Sequence, residues 1–282
     1  GFGEVGQRLA KDLANTGVTD LRAWDIAFAQ PDSEASRALP GHAVRAATDA
    51  TGAVRGAQLV ISAVTAAQDL EAANSVGPGL DPSVYYLDLN SCSPGQKLAA
   101  AEAVHGAGGR YVEAAVMSPI HPKGIGSPML LGGPHAVDFL ADAEGLGLGG
   151  ASAYAQGIGQ AVATKLCRSV MIKGVEALLA ESLLAARHYG VEQVVLDSLS
   201  DLLPLPDWNR TAQYMISRSL EHGARRAEEM REAARTVAEA GVAPLMSDAI
   251  ARRQDWAADH KAALSPDLIA MLDAITQTRD LR

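Results

Sequence analysis

The sequence predicts an α/β domain built on a largely parallel sheet, followed by an all-helical domain. In the first half of the 282-residue chain, short β-like runs alternate with Ala-rich helical runs, a pattern typical of parallel strands covered by helices on both faces. After residue 152 the strand patterns stop and long helical patterns follow. A chain of this length exceeds the usual size of one domain. We therefore predict two domains, residues 1–152 and residues 153–282.

Each predicted element rests on its own hydrophobic pattern. Short runs rich in Val, Ile, Leu and Tyr predict strands at 20–24, 57–64, 83–89, 110–116 and 128–133. Apolar residues at helical spacing predict two helices of the first domain, at 4–16 and 94–107. The same spacing predicts the long helices of the second domain, at 158–189, 209–240 and 245–262.

Charge and cysteine usage exclude several classes of protein. A net charge of −9 and a pI near 5.2 give no electrostatic reason to bind nucleic acid or an anionic membrane, so a small-molecule substrate is expected. Cys92 and Cys167 lack the spacing of a metal site or a disulfide framework, and a reducing cytoplasm fits them best. No apolar run approaches the roughly 20 residues of a membrane span. Because the chain opens on Gly1, we expect further residues upstream, including a strand.

Three glycines at the start of the chain predict a dinucleotide-binding turn. Gly1, Gly3 and Gly6 form Gly-x-Gly-x-x-Gly and lead directly into an amphipathic helix. Glycines allow the tight turn and the close approach of a pyrophosphate, and the helix N-terminus attracts the anion. The alternative is an ordinary turn. On the first interpretation the first domain is of the Rossmann type, and its cofactor contacts include Phe2, Glu4 and Val5.

Asp25 strengthens the dinucleotide interpretation and selects the cofactor. It ends the next predicted strand, where a carboxylate can accept hydrogen bonds from a ribose and would repel a 2′-phosphate. No arginine follows it immediately. NAD is therefore predicted, with NADP as the alternative, although Asp25 could also be a plain turn aspartate. Further cofactor contacts are predicted where two later strands end, at Val64, Thr65, Asn90 and Ser91.

Five segments together resemble one known enzyme family across nearly the whole chain. They are the glycine turn, "LDLNSCSP" (87–94), "VEAAVMSP" (112–119), "GIGQAVATKLCRS" (157–169) and "EEMREAARTVAEAGVAP" (228–244). The sequence resembles the β-hydroxyacid dehydrogenase family, which includes 3-hydroxyisobutyrate dehydrogenase and, more distantly, 6-phosphogluconate dehydrogenase. It is most similar to a subgroup whose C-terminal domain has no known function.

The resemblance implies hydride transfer between a nicotinamide cofactor and a β-hydroxyacid-like alcohol or carbonyl compound. It implies that Lys165 lies in the cleft beside the nicotinamide and acts as the general acid and base. Ser169, one helical turn later, could help to hold the substrate oxygen. The alternatives are a lysine whose head merely reaches water and a serine bonded back to a helix carbonyl. The resemblance also implies a homodimer formed by the helical domain.

Departures from the family pattern fall on substrate contacts. Met117, Ser118 and Pro119 stand where the family has Ser-Gly-Gly, and Arg168 and Ser169 stand where it has paired asparagines. We therefore expect the family's chemistry on a different substrate. The candidate substrate contacts are Ser118, His121, Lys123 and Lys173.

Two of these interpretations leave alternatives open. For Lys173 an ion pair with a neighbouring acid is favoured over a substrate contact. Arg225 and Arg226, with His222, form a basic cluster that could meet an anionic substrate, but pairing with Glu228 and Glu229 is favoured. As rival functions, an imine reductase on the same scaffold and a non-catalytic dinucleotide-binding interaction protein remain.

Overall fold

The computed structural model describes residues 1–202 and 207–277. Within them the chain forms two compact units, Gly1–Lys165 and Leu166–Arg282. The division falls inside a long helix, whereas the sequence pattern placed a domain boundary at residue 152. The first unit has the Rossmann-type α/β fold that the sequence predicts, and the second is helical.

The first unit is built on a five-stranded sheet in which most neighbours are parallel. Its strands, in spatial order, are β3, β4, β5, β6 and β7, and only the pair β5 and β6 is antiparallel. These strands span Leu59–Ser62, Tyr85–Asp88, Arg110–Val116, Met129–Gly132 and Ala151–Ala155. A separate parallel pair is formed by β1 (Arg22–Ala23) and β2 (Arg45–Ala46).

Helices cover both faces of this sheet because the strands carry apolar residues on both sides. The helices of the first unit are α1 (Glu4–Asn15), α2 (Glu34–Ala38), α3 (Ala50–Val54), α4 (Asp69–Val76), α5 (Pro94–Gly106) and α6 (Ala136–Asp142). Leu9 of α1 and Phe139 of α6 pack with Leu87 in one core cluster. Val104 of α5 packs with Tyr86 in the other. Tyr86 and Leu87 are consecutive and point to opposite faces, as strand geometry requires.

A row of buried polar residues crosses the sheet where β3 and β4 end. Ser62 pairs with Asp88, Asp88 with Glu113, and Glu113 with Gly132. Directly paired residues project on the same face of a sheet. The fold therefore gathers Ser62, Asp88 and Glu113 on one face, at the carboxyl edge where α/β proteins bind ligands.

Two strands escape the sequence patterns. β7 lies across the predicted boundary at 152, which corrects the expectation that strands stop there. Its sequence, Ala-Ser-Ala-Tyr-Ala, lacks the β-branched residues that signal a strand, and its central residues are exposed at the sheet edge. β2 is only two residues long and exposed, so it carries no recognisable pattern.

The second unit consists of long helices around one apolar core. They are α7 (Gln160–Tyr189), which begins in the first unit, α8 (Glu192–Leu202), α9 (Trp208–Glu239), α10 (Leu245–Asp259) and α11 (Leu268–Gln277). Leu183, Ile216 and Met271 lie in the centre of this core. α9 is interrupted at His222, whose φ of −123° and ψ of 16° are not helical. Among the described residues no helix is long and apolar enough to cross a membrane, and no cluster of potential metal ligands occurs.

Candidate active site

The glycine turn has the close packing that its sequence predicts. A Cβ atom on Gly1 would lie 2.3 Å from the carbonyl oxygen of Ala63, and one on Gly6 would lie 2.2 Å from that of Gly1. Side chains at these two positions would therefore collide with backbone. At Gly3, by contrast, a Cβ atom would meet nothing within 4 Å. Gly3 is the N-cap of α1 and offers no side-chain cap, so the helix N-terminus can receive an anion at this point.

Asp25 is tied to the glycine turn itself. Its carboxylate accepts hydrogen bonds from the N–H of Phe2 at 2.6 Å and from the N–H of Ala27 at 2.9 Å. Asp25 therefore joins the end of β1 to the residue between the first two glycines. Each carboxylate oxygen can accept a second hydrogen bond, so a ribose contact is compatible with this geometry.

Lys165 contacts the loop that follows β4. Its Nζ donates to the Oγ atom of Ser91 at 2.6 Å. Both residues are half-buried, and both belong to the first unit. The bond fixes the lysine head beside the carboxyl end of β4, instead of leaving it extended into solvent.

Asn90, the neighbour of Ser91, is buried and uses every polar atom of its side chain. Its Oδ1 accepts from the N–H of Val64 at 2.7 Å, and its Nδ2 donates to Asp69 at 2.6 Å and to Ser62 at 2.9 Å. Its backbone N–H donates to Asp88 at 2.8 Å. Asn90 is a predicted cofactor contact, and each polar atom of its side chain already has a partner inside the protein, although Oδ1 can accept a second hydrogen bond. Thr65, beyond Val64, is exposed.

A buried cation balances the acids around Asn90. Lys97 is fully buried and its Nζ lies 2.7 Å from Asp88, which also accepts from the Tyr111 hydroxyl at 2.5 Å. Burial lowers the pKa of Lys97, but the negative charge of the neighbouring Asp88, with that of Asp69, outweighs this effect and raises the pKa to about 12. Burial, with the charge of Asp88, raises the pKa of Asp69 to about 6.

Cys92 belongs to the same buried cluster. Its thiol donates to Asp69 at 3.0 Å. Burial is the main cause that raises the pKa of this thiol, so the reactive thiolate is strongly disfavoured. This environment gives Cys92 a structural role and agrees with the absence of a redox assignment from the sequence.

Glu113 anchors the start of the helix that carries Lys165. Its two carboxylate oxygens accept from the N–H of Gly159 at 2.7 Å and from the N–H of Val162 at 2.6 Å. A Cβ atom on Gly132 would lie 2.6 Å from the carboxylate, so any larger residue there would displace the carboxylate from this position. Burial raises the pKa of Glu113, and the two backbone hydrogen bonds oppose that rise.

The loop after β5 packs on α1. Arg8 contacts Nδ1 of His121 at 2.9 Å and donates to the carbonyl of Pro122 at 2.7 Å, and Asp12 accepts from the N–H of Ile125. His121 also lies 3.8 Å from Glu4. Of the other predicted substrate contacts in this loop, Ser118 donates to the carbonyl of Pro119 at 3.2 Å, and Lys123 is exposed.

Ser169 and Lys173 form a buried cluster with Glu229 in the helical unit. Ser169 donates to Glu229 at 2.7 Å, and Lys173 contacts Glu229 at 2.7 Å and Ser169 at 3.1 Å. Burial is the largest influence on Lys173 and lowers its pKa. The ion pair expected for Lys173 is present. The observed partners of the Ser169 hydroxyl are therefore two side chains of the same unit. They differ from both partners considered for it in the sequence, a substrate oxygen and a helix carbonyl.

The predicted pairing of Arg226 is wrong. Arg226 pairs with the buried Glu176 of α7, and not with Glu228 or Glu229. The physical reason is that Glu229 points toward Lys173 while Glu176 lies buried beside Arg226, where an unpaired charge would be costly.

Sequence reasoning also missed the buried acids and the lysine that surround the site. Glu113 could have been found, because a charge in the apolar run "RYVEAAV" is as unusual as a lysine in an apolar helix. Lys97 gives no such signal. Its segment, "GQKLAAAEA", reads like the exposed face of an ordinary helix.

Comparisons with known proteins place this geometry in a family. Residues 186–257 match DUF1932, a domain of unknown function. No curated protein matches the sequence. A conserved hypothetical protein from Sinorhizobium meliloti 1021 is 35% identical, with a TM-score of 0.78 over 98% of this chain and 94% of that one. A conserved protein of unknown function, structurally similar to 3-hydroxyacid dehydrogenases, is 31% identical, with a TM-score of 0.72 over 92% and 95%.

More distant structures share the fold. 3-Hydroxyisobutyrate dehydrogenase from Mycobacterium tuberculosis, solved with L-serine, is 18% identical, with a TM-score of 0.72 over 98% of this chain and 97% of that one. An imine reductase from Streptomyces aurantiacus is 19% identical, with a TM-score of 0.55 over 98% and 97%. With its glycine turn, its lysine-bearing helix and relatives above 30% identity along almost its entire length, the chain belongs to the β-hydroxyacid dehydrogenase family.

Proposed function

We propose that this protein is an NAD-dependent oxidoreductase that transfers a hydride between the cofactor and a β-hydroxyacid-like alcohol or carbonyl substrate. The observation that carries the proposal is the hydrogen bond between Lys165 and Ser91. It holds an amine at the carboxyl edge of a Rossmann-type sheet, where such folds bind their ligands. The bound nicotinamide supplies the hydride chemistry, and the protein orients the reactants and handles the proton.

The glycine turn and its neighbours would hold the cofactor. A Cβ atom on Gly3, the N-cap of α1, would meet nothing within 4 Å, so the space beside this helix N-terminus is open to an anion. Asp25 stands beside this turn and would accept ribose hydroxyl groups while repelling a 2′-phosphate. We therefore expect NAD to bind at least about tenfold more tightly than NADP, a difference of about 1.4 kcal/mol. Calorimetric titration with both cofactors checks the order, and tighter binding of NADP would contradict the role of Asp25.

Lys165 would move the proton. During oxidation its Nζ accepts the proton of the substrate hydroxyl, and during reduction it returns a proton to the carbonyl oxygen. Ser91 accepts a hydrogen bond from the same nitrogen and so fixes its direction. A positioned general acid and base contributes a factor of about 10² to 10⁴ in rate.

The variant Lys165→Met tests this role against a lysine that serves only packing. We expect kcat to fall by a factor of about 10² to 10⁴, with NAD affinity close to wild type. Lys11→Met is the control, because it removes the same charge from an exposed position of α1 in the same unit. Lys173→Met cannot serve, since it would remove the buried cation beside Glu229. If Lys165→Met keeps more than about half the wild-type rate, the proton-transfer role is refuted.

The loop from Ser118 to Lys123 would set the choice of substrate. It lacks the Gly-Gly pair of the family pattern, and its His121 is bound to Arg8 of the cofactor helix. We expect 3-hydroxyisobutyrate to be a poor substrate. Turnover of a panel of hydroxy acids, aldehydes and cyclic imines identifies the class that is used, and efficient oxidation of 3-hydroxyisobutyrate would contradict this interpretation.

Imine reduction is the second candidate function. It is supported by the likeness of the fold to the imine reductase, whereas a lysine held at the sheet edge suits a carbonyl oxygen. The same panel separates the two, because turnover of cyclic imines without turnover of hydroxy acids or aldehydes would favour the imine.

We further propose that the protein is a homodimer. Met171, Leu178 and Tyr189 of α7 are 68%, 61% and 76% exposed. At 100° per residue they lie within about 20° of one another around the helix. A helix face of this kind suits contact with a second copy. Light scattering at micromolar concentration should report a dimer, and a monomer would contradict the proposal.

A further inference from the structure

Asn90 is placed to control the geometry of Lys165 without touching it. Its side chain is buried, and all of its hydrogen-bonding groups have partners in the first unit. A buried amide satisfied in this way has one orientation, because rotating it would set donors against donors. The position of Asn90 is therefore determined by its surroundings.

These partners connect three segments of the carboxyl edge. The Nδ2 bond to Asp69 reaches the first residue of α4, and the Nδ2 bond to Ser62 reaches the last residue of β3. The Oδ1 bond reaches the N–H of Val64, which lies in the loop after β3. One side chain thus fixes the loop after β4 relative to β3, the following loop and α4.

Ser91 follows Asn90 along the chain, and its Oγ accepts a hydrogen bond from Nζ of Lys165 at 2.6 Å. A displacement of Asn90 would move the Ser91 hydroxyl, because only one peptide unit separates the two residues. We propose that the hydrogen bond between Asn90 and Asp69 is a positioning device that sets the place of Ser91 and thereby that of Lys165. An effect of this hydrogen bond on catalysis rests on the proposed function, whereas its effect on the position of Lys165 does not depend on that function.

The polarity of this hydrogen bond allows a sharp test. Asn90 donates and Asp69 accepts. Asn90→Asp would place a second carboxylate at this distance, and two carboxylates that close repel each other. Exchanging the two residues, as Asn90→Asp with Asp69→Asn, reverses the donor and the acceptor. The carboxylate introduced at position 90 could still accept from the N–H of Val64, and the amide introduced at position 69 could still accept from the Cys92 thiol.

The experiment measures how fast Lys165 reacts with an amine-selective acylating reagent across the pH range, read by peptide mass spectrometry. It needs neither substrate nor cofactor. In Asn90→Asp we expect the labelling rate of Lys165 to change by a factor of about 3 to 10, the effect of losing one hydrogen bond of ordinary strength. In the exchanged double variant the pH profile should return to within about twofold of wild type. Lys11, which is exposed on α1, is the internal control and should label equally in every variant.

A milder variant keeps the test decisive if Asn90→Asp fails to fold. Ser62→Ala removes the second acceptor of the Asn90 amide but leaves its bond to Asp69, and it should change Lys165 labelling in the same direction by a smaller factor. Two outcomes would refute the positioning role. In the first, folded variants lose stability while the labelling rate of Lys165 stays at the wild-type value. In the second, the double variant regains stability but not the wild-type pH profile of Lys165 labelling. Absence of turnover in the wild-type protein would instead refute the proposed function and leave these labelling results interpretable.

Discussion

Replacing Glu113 by glutamine tests whether a buried carboxylate anchors the lysine-bearing helix. The carboxylate accepts from two backbone N–H groups, of Gly159 and Val162, at the start of α7. Glutamine has nearly the same shape but only one acceptor oxygen, and its NH₂ group would face the other N–H. Lys165 follows Val162 by less than one turn, so any loosening here reaches the lysine.

The size of the effect follows from these contacts. Leaving one buried donor unpaired costs about 1–3 kcal/mol, while the neutral amide escapes the burial penalty of the carboxylate. Because the second effect offsets part of the first, we expect a net loss of about 1–2 kcal/mol at neutral pH. This corresponds to exchange of the N–H groups near residues 159–162 that is faster by a factor of roughly 5 to 30.

Hydrogen exchange of the peptide spanning residues 157–165 measures this local stability. The matched control is Glu102→Gln, which makes the same chemical change at an exposed position of α5. Surface substitutions of this kind stay within about 0.5 kcal/mol of wild type. Equal exchange rates in Glu113→Gln and wild type would refute the anchoring role.

The pH dependence of Glu113→Gln has a definite sign. Burial raises the pKa of Glu113 above its ordinary value of 4.5. A raised carboxyl pKa contributes stability that is complete below the unfolded value and is lost as the pH rises through the folded value. The stability difference between wild type and variant should therefore shrink from pH 4.5 upward in urea unfolding. A difference that grows with pH would show that the two hydrogen bonds outweigh burial.

Two further predictions concern other buried charges. Lys173→Met should destabilise the helical unit by about 1–3 kcal/mol, because it removes the cation beside the partly buried Glu229, and adding Glu229→Gln should recover part of the loss in thermal unfolding. Asp69, with a pKa raised to about 6, should contribute stability that is complete below about pH 4 and is lost by about pH 7, at most about 3 kcal/mol. Urea unfolding of wild type against Asp69→Asn measures this contribution, and a difference that does not fall with pH would contradict it.

The parts of the fold that were predictable are those whose residues repeat a pattern. The apolar runs "AQLVISAV" and "SVYYLDL" contain β3 and β4, and the helical spacing at 158–189 covers the whole of α7. β7 was not predictable, because Ala and Ser at a sheet edge neither favour nor exclude a strand. Local pattern therefore specified β3 at one edge of the sheet, which is rich in Leu, Val and Ile, better than β7 at the other edge, which is built from Ala, Ser and Tyr.

The candidate site was predictable in its residue types and less so in its partners. Glycine spacing and the strand ends pointed to Gly3 and Ser91, since backbone geometry and topology fix where those positions lie. That Asn90 bonds to Asp69 depends on contacts between residues 21 positions apart. The spacing of residues in the sequence does not indicate such a contact. From the sequence alone, the side-chain amide of Asn90 could equally have faced a ligand.

Two anchors converge on Lys165 from different sides, and their coupling can be measured. Glu113 holds the start of α7, and Asn90 holds the loop whose Ser91 meets the lysine. If both act only through the contact between Lys165 and Ser91, breaking either one already displaces the lysine, and breaking both adds little. We therefore expect Glu113→Gln combined with Asn90→Asp to change Lys165 labelling by less than the product of the two single effects. Residues in separate networks usually have additive effects on free energy, which multiply as changes in rate. A labelling change equal to the product of the two single changes would therefore mean that the anchors act on Lys165 independently. In that case the helix sets the position of the lysine along its axis, and the loop sets only its direction.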